Sequence, residues 1–345
     1  MLDDNPNLAE YTTLRLGGPA RSTRVATTTD ELITAITDAD SAKEPTLLIA
    51  GGSNLVIGDK GFDGTAILLR SRGVTTERDG DDVLVTAQAG HPWDEFVAET
   101  VASGWSGVEC LSGIPGSTGA TPVQNVGAYG QEIREVFEHA DVYDRRTRTI
   151  VRMTGEECRF AYRHSVFKHN DRYVVLAVTY RLREERRSRP IRYAETARSL
   201  GVEVGDTVDL AIARDTVLAL RRGKGMVLDP GDRDTYSVGS FFINPVITVD
   251  AFDALVARCG ETPSHHPFDG DVKVSAAWLI GRAGFEKGHG HDGVSISTKH
   301  TLALTNRGGG TTAALMALAA EVRDGVLRRL GVELFPEPVL VGVDW

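Results

Sequence analysis

Leu48-Ile49-Ala50-Gly51-Gly52-Ser53-Asn54-Leu55-Val56-Ile57 is the stretch on which the fold turns. Residues 46–50, Thr-Leu-Leu-Ile-Ala, form a short apolar run predicted to be a buried strand. It delivers the chain straight into Gly-Gly-Ser-Asn. Two residues without a Cβ let backbone N–H groups converge into a nest for an anion, and Ser53 and Asn54 add side-chain donors. A diphosphate needs such a cluster. The loop is neither G-x-G-x-x-G nor a Walker loop, because Lys60 lies too far along. A tight turn between strands would use the same residues, so the loop gains meaning only beside a second one.

That second stretch runs over 107–130. Gly113, Gly116, Gly119, Gly127 and Gly130 alternate with small polar residues and with Pro115 and Pro122. It makes a poor helix and a poor strand, but it suits an extended ligand contacted by many backbone amides. Two such loops in one domain suit a long dinucleotide with a diphosphate at its middle.

Around the loops, helices are predicted over 29–38 (capped near Thr29 or Asp30), 93–102, 210–222, 249–259, 276–282 and 312–329, and further strands over 66–69, 83–86 and 173–182. The last alternates as a half-buried strand does. Strands and helices interleave irregularly, which predicts an α+β fold rather than a regular βαβ array. The charge run Glu184-Glu185-Arg186-Arg187-Ser188-Arg189 before Pro190 reads as a solvated seam. The expected division is 1–188, with two subdomains split near 70, then a linker over 189–205, then a smaller α+β domain over 206–345.

With 345 residues the chain has room for two or three domains, and 41% hydrophobic and 25% charged residues are those of an ordinary globular protein. A net charge of -10 argues against a nucleic-acid partner, but not against a local basic pocket for a phosphorylated small molecule. Cys110, Cys158 and Cys259 form no CxxC pair and no disulfide framework, which fits a reducing compartment. The polar start Met1-Leu2-Asp3-Asp4-Asn5 is not a signal peptide, and no apolar run approaches the ~20 residues that span a bilayer. A cytoplasmic, monomeric protein without a membrane partner is expected. His265-His266 and His289-Gly290-His291 lie in Gly/Pro-rich loops without a Cys or carboxylate at ligand spacing, so no metal is expected.

A third stretch, Gly239-Ser240-Phe241-Phe242-Ile243-Asn244-Pro245, places a small hydroxyl beside two bulky aromatics. A Ser buried in apolar company must bond something, and in a pocket that partner can be a substrate; a strand end packed by Phe241 and Phe242 would use the same residues. Taken in order, Tyr11 to Gly18, Gly51 to Leu55, Ile114 to Gly130, Phe160-Ala161-Tyr162-Arg163-His164-Ser165, Gly239 to Phe242 and Pro336-Glu337 resemble the UDP-N-acetylenolpyruvoylglucosamine reductase family over nearly the whole chain.

The resemblance implies an FAD-binding domain of the vanillyl-alcohol oxidase type followed by a substrate domain, with noncovalent FAD, NADPH as reductant and a UDP-sugar enolpyruvyl ether as substrate. It makes Tyr11 to Gly18 the opening strand. It assigns the flavin to Gly51, Gly52, Ser53, Asn54 and Leu55, and to Gly113, Pro115, Gly116, Ser117, Gly119, Ala120, Thr121, Gln124, Asn125, Gly127, Ala128 and Tyr129. Arg192-Tyr193-Ala194-Glu195 lies where the larger family subtype carries a lid loop, with Tyr193 closing over substrate. Tyr162, Lys224, Asn244 and His300 are further substrate candidates. Residues 224 to 240 are spaced about four residues wider than the family pattern, and Ile243 stands where a lysine is sometimes found.

The implied reaction saturates a carbon–carbon double bond conjugated to a carboxylate, so negative charge develops on the α-carbon as an enolate. Arg163, permanently charged and bidentate, suits that charge, as does Glu337, held rigid between Pro336 and Pro338. Ser240 suits delivery of the proton to the α-carbon, where position matters more than acidity. Arg159 lies four residues before Arg163, where one helix face would hold both, and is read as structural. An oxidase on the same fold would lack the set Arg163, Ser240 and Glu337. A flavin-binding protein without turnover would keep the loops and be indifferent to Ser240→Ala.

Overall fold

The apolar run before the first glycine loop forms the strand Thr46–Ile49, which pairs in parallel with Phe62–Leu69. These coordinates are a computed structural model that describes residues 3–4 and 6–345; Met1, Leu2 and Asn5 of the polar start lie outside the described residues. Contacts divide the chain into two interleaved units. The first holds residues up to Pro6, Ala20–Gly52 and Asp63–Val227, the second Asn7–Pro19, Ser53–Phe62 and Leu228–Trp345. The fold is α+β.

In the first unit, a four-stranded sheet orders Asp3–Asp4, Ala20–Ala26, Phe62–Leu69 and Thr46–Ile49. Helix Thr29–Ala42 starts where it was read, but its cap lies one residue earlier, on Thr28, whose hydroxyl accepts the Glu31 N–H. The larger sheet runs Thr149–Thr154, Phe137–Asp144, Tyr173–Glu184, Asp82–Gln88, Val74–Asp79. Tyr173–Glu184 lies in its middle and is buried without a break from Val174 to Tyr180. It is covered on both faces, so the half-buried alternation expected of it does not hold. Helix Trp93–Ser103 closes one face: Trp93 and Phe96 meet the Tyr180 ring at 5.7 and 5.0 Å, and Tyr180 is fully buried. Each such side chain contributes about 1.5–3 kcal/mol of burial.

The charge run is not a free tether. Glu184 ends its strand, Ser188 is buried with its N–H on the Val208 carbonyl, and the Arg189 N–H donates to the Glu109 carboxylate at 2.7 Å. Beyond it, residues 189–205 contain a helix, Ala194–Leu200, and Leu210–Gly223 packs within the first unit.

In the second unit, helix Thr312–Leu330 is held at its start by Asp59, whose two oxygens accept the Thr312 and Ala313 N–H groups at 2.8 Å. A carboxylate there satisfies orphan donors and complements the helix dipole. Strand Leu55–Ile57 pairs in parallel with Val339–Val341. Small antiparallel sheets of Val246–Ile247, Asp271–Val274 and His265–Phe268, and of Gly290–His291, Val294–Ile296 and Leu304–Asn306, complete the unit. The segment from Tyr11 to Gly18 is not the opening strand the resemblance implies. Leu8–Tyr11 is a 3-10 turn, Arg15 has φ 57°, and Leu14 and Leu16 drop into the core of the second unit. Among the described residues, no helix is long and apolar enough to cross a membrane.

Candidate active site

The two glycine-rich loops of the first unit meet backbone to backbone. A Cβ on Gly51 would lie 2.5 Å from the Gly116 Cα, so no side chain fits there. Gly119 is a packing glycine, its N–H on the Ala89 carbonyl and its missing Cβ 2.4 Å from the Ala89 Cβ. Gly113 (φ 72°) donates its N–H to Asp94 at 2.6 Å, and Asp94 is clasped by both ends of the Arg214 guanidinium at 2.7 and 2.9 Å. Burial pushes the Asp94 carboxyl up, but Arg214 and the Gly113 N–H outweigh it and hold it below the ordinary carboxylate range.

Several loop side chains are occupied within the protein. Asn125 (φ 45°) donates to Glu132 and to the Ala161 carbonyl and accepts the Arg134 N–H. Thr121 donates to the Thr118 carbonyl and meets the Tyr180 hydroxyl at 2.8 Å, and Gln124 accepts from Lys168. Gly127 and Ala128 form a two-residue strand. Pro115 and Ala120 are half-buried. These contacts shape the loop and leave its backbone to a ligand. Ser117 differs: its hydroxyl is buried and has no partner among the described residues. A buried unmade hydrogen bond costs about 1–3 kcal/mol, which a bound polar ligand recovers. In the second unit, Asn54 accepts the Val339 N–H through its carbonyl, Leu55 opens a strand, and Ser53 is half-buried.

Arg163 follows Tyr162 in a tight turn bridged by Ala161 and His164. Arg159 ends helix Gly155–Cys158 in a left-handed conformation, so it shares no helix face with Arg163. Arg163 has φ 52°, donates through Nη2 to the Gly127 carbonyl at 3.0 Å and lies 5.5 Å over the Tyr162 ring. Asn125, Tyr129 and Arg163 are thus non-glycine residues in the left-handed region on neighbouring segments. Strain of this kind, of order 1–3 kcal/mol each, gathers at functional sites.

Tyr129, Tyr193, Glu195 and Lys224 form a second group in the same unit. The tyrosine rings meet edge-on at 5.5 Å, and Lys224 Nζ lies 5.5 Å from the Tyr129 ring centre and 2.5 Å from Glu195. Burial alone would lower the Lys224 pKa, but the Glu195 hydrogen bond and charge raise it, so the ammonium stays charged. Burial pushes the Tyr129 phenol up, only partly opposed by Lys224. Tyr193 is 43% exposed. Sequence reading missed Glu195 as a partner of Lys224, and missed Arg214 and Asp94 altogether; no local pattern marks pairs 29 and 120 residues apart.

In the second unit, Gly239 (φ 77°) has open space beside it, Ser240 is half-buried, and Phe241 and Phe242 are buried. The Glu337 N–H donates to the Phe241 carbonyl at 2.8 Å and the Ile243 N–H to the Phe335 carbonyl at 3.1 Å, which sets the Ser240 and Glu337 segments side by side. Asn244 Oδ1 accepts the Ala276 N–H, capping helix Ala276–Arg282. His300 Nδ1 accepts the Leu302 N–H, so the neutral ring carries its proton on Nε2. Among the described residues, no group of three or more His, Cys, Asp or Glu is placed to hold a metal ion.

Residues 21–154 match the family described as FAD binding domain, and the glycine loops with their unpartnered Ser117 hydroxyl fit that cofactor. The protein is an FAD-dependent oxidoreductase. Residues 229–341 match the family described as UDP-N-acetylenolpyruvoylglucosamine reductase, C-terminal domain. The chain is 57% identical to the UDP-N-acetylenolpyruvoylglucosamine reductase of Salinispora arenicola, over 98% of this chain and 95% of that one. It is 56% identical to that of Thermobifida fusca, over 98% of each. The crystal structure of UDP-N-acetylenolpyruvylglucosamine reductase from Thermus caldophilus shares the fold, with a TM-score of 0.65, 22% identity, and 99% of this chain and 100% of that one covered. The chain belongs to the UDP-N-acetylenolpyruvoylglucosamine reductase family.

Proposed function

We propose that this protein reduces the enolpyruvyl ether of UDP-N-acetylglucosamine to UDP-N-acetylmuramate, with NADPH as reductant, in the supply of peptidoglycan precursors. The observation that carries the proposal is the end-to-end similarity, at 57% and 56% identity, to proteins named for acting on that substrate. The glycine loops of the first unit would hold FAD, and the flavin would supply the hydride for the double bond. Ser240 then delivers its proton to the α-carbon, on the face that its backbone fixes. Arg163, permanently charged and steadied on the Gly127 carbonyl, is assigned to the enolate charge. Glu337, on the segment beside Ser240, is assigned to the same developing charge. Phe241 and Phe242 exclude water from the carbanion. Lys224, charged beside Glu195, and Tyr193 are assigned to the substrate, Tyr193 as its lid, together with Tyr162, Asn244 and His300.

The test separates the two halves of the cycle. With Ser240→Ala, bleaching of the flavin by NADPH is expected to survive and reoxidation by the enolpyruvyl sugar to collapse by about 10²–10⁴-fold, the range of general acid catalysis. Equal damage to both halves removes Ser240 from the donor role. A reduced flavin that the sugar never reoxidises in the unmodified protein overturns the substrate.

A further inference from the structure

Three aromatic rings lie behind the Ser240 segment. Phe241 and Phe242 meet edge-on at 5.1 Å, and the tilted indole of Trp345 packs against both, 6.2 Å from Phe241 and 5.9 Å from Phe242. On its own account Trp345 is 4.7 Å from the guanidinium carbon of Arg323, which helix Thr312–Leu330 presents. Backbone bonds fix Phe241 as well: its N–H donates to the Leu302 carbonyl at 2.7 Å, and its own carbonyl accepts from Glu337. Phe241 is therefore held at its ring and at both polar backbone groups, and Ser240 is the residue immediately before it. The Trp345 indole N–H is buried with no acceptor among the described residues. Hydrogen bonding does not place this ring. Packing between Arg323 and the two phenylalanines does.

We propose that Trp345 is a positioning residue for Ser240: it sets the pitch of Phe241 and Phe242, and through them the direction of the Ser240 hydroxyl. The inference rests on Ser240 as the proton donor. Because the N–H has no partner, the ring's bulk and not its donor is what matters, so Phe replaces it better than Ala.

The experiment uses the FAD-loaded protein with Trp345→Ala, Trp345→Phe and Ser240→Ala, each followed by rapid mixing under anaerobic conditions. Flavin reduction by NADPH and flavin reoxidation by the enolpyruvyl UDP-sugar are timed separately. Expected for Trp345→Ala is reduction within about twofold of the unmodified protein and reoxidation slowed by up to about a hundredfold, the effect of a reacting group displaced by ~1 Å. Trp345→Phe is expected to recover reoxidation to within about fivefold. A Trp345→Ala protein that reoxidises normally, or loses both half-reactions in parallel, overturns the positioning role. So does a Trp345→Phe protein as slow as Trp345→Ala. If Ser240→Ala reoxidises normally, the donor assignment itself fails and takes the inference with it. If Ser240→Ala is slow while Trp345→Ala is normal, only the inference fails.

Discussion

Replacing Arg214 by Met tests whether an ion pair outside the flavin loop sets that loop's shape. Arg214 is 14% exposed and Asp94 41%, and the pair is bidentate, with the Gly113 N–H sharing Asp94 Oδ1. Removing one partner of a fully buried pair costs about 3–5 kcal/mol, and an exposed pair is worth about 0–1 kcal/mol. Asp94 is partly solvated and can rehydrate, so the loss belongs between these limits, at about 2 kcal/mol. Met keeps most of the aliphatic contact, so the loss reports the charge. The pH dependence follows from the depressed Asp94 pKa. A carboxyl whose folded pKa lies below its unfolded value, about 3.9, stabilises the fold above that value and loses this contribution as pH falls through the folded pKa. The gap between the unmodified protein and Arg214→Met is therefore open from pH 8 to about 5 and narrows below about pH 4. Urea unfolding followed by release of FAD fluorescence, at a series of pH values, measures it. Equal stability at pH 7, or a gap unchanged down to pH 3, refutes the reasoning. If the lost order falls on Gly113, FAD weakens as well, by about tenfold for each 1.4 kcal/mol.

Three further outcomes are expected. Gly51→Ala forces a Cβ against the Gly116 Cα, so FAD binding, measured by flavin fluorescence titration, falls by at least tenfold while the far-UV spectrum is kept. Arg163→Gly relieves a left-handed φ of 52° and raises the thermal midpoint relative to Arg163→Ala by the equivalent of about 1 kcal/mol, while both abolish substrate-driven reoxidation; a Gly variant no more stable than the Ala variant contradicts the strain. Titration with a thiol reagent at pH 8 modifies Cys259 first, because burial pushes the Cys158 thiol up to about 12 and raises Cys110 further, and both are buried; rapid loss of three thiols from the folded protein argues against those positions.

What was legible in the sequence was local. Helices Val249–Cys259 and Ala276–Arg282 fall where they were read because their stops are chemical: Thr248 and Ser275 accept N–H groups of the first turn, and Gly260 takes the left-handed cap. The glycine loops were legible because glycine spacing reports backbone approach, and Gly51 does meet Gly116. Strands Phe137–Asp144 and Thr149–Thr154 escaped notice, since polar residues interrupt both and pairing decides them: Phe137–Asp144 to the buried Tyr173–Glu184, and Thr149–Thr154 to Phe137–Asp144. Nor does any pattern near Asp59 reveal that it caps a helix starting at Thr312. The second unit takes Asn7–Pro19 and Ser53–Phe62 from the early part of the chain through such contacts, which sequence distance hides.

The flavin loop shows the same division within a single motif. Its residue types were readable, but not which atoms stay available. Asn125, Thr121 and Gln124 were all assigned to the cofactor through the family resemblance, and all three spend side-chain groups on the protein. Ser117 does not, and its hydroxyl is buried. A polar atom that the protein leaves unsatisfied away from water has a cost that a ligand removes, whereas one already bonded must first give up its partner. By this reasoning Ser117 is expected to carry side-chain recognition in this loop, and Asn125 and Thr121 to act by holding the backbone. Asn125→Ala should then weaken FAD through loop order and lower stability with it, and Ser117→Ala should weaken FAD while leaving the FAD-free protein as stable or more so.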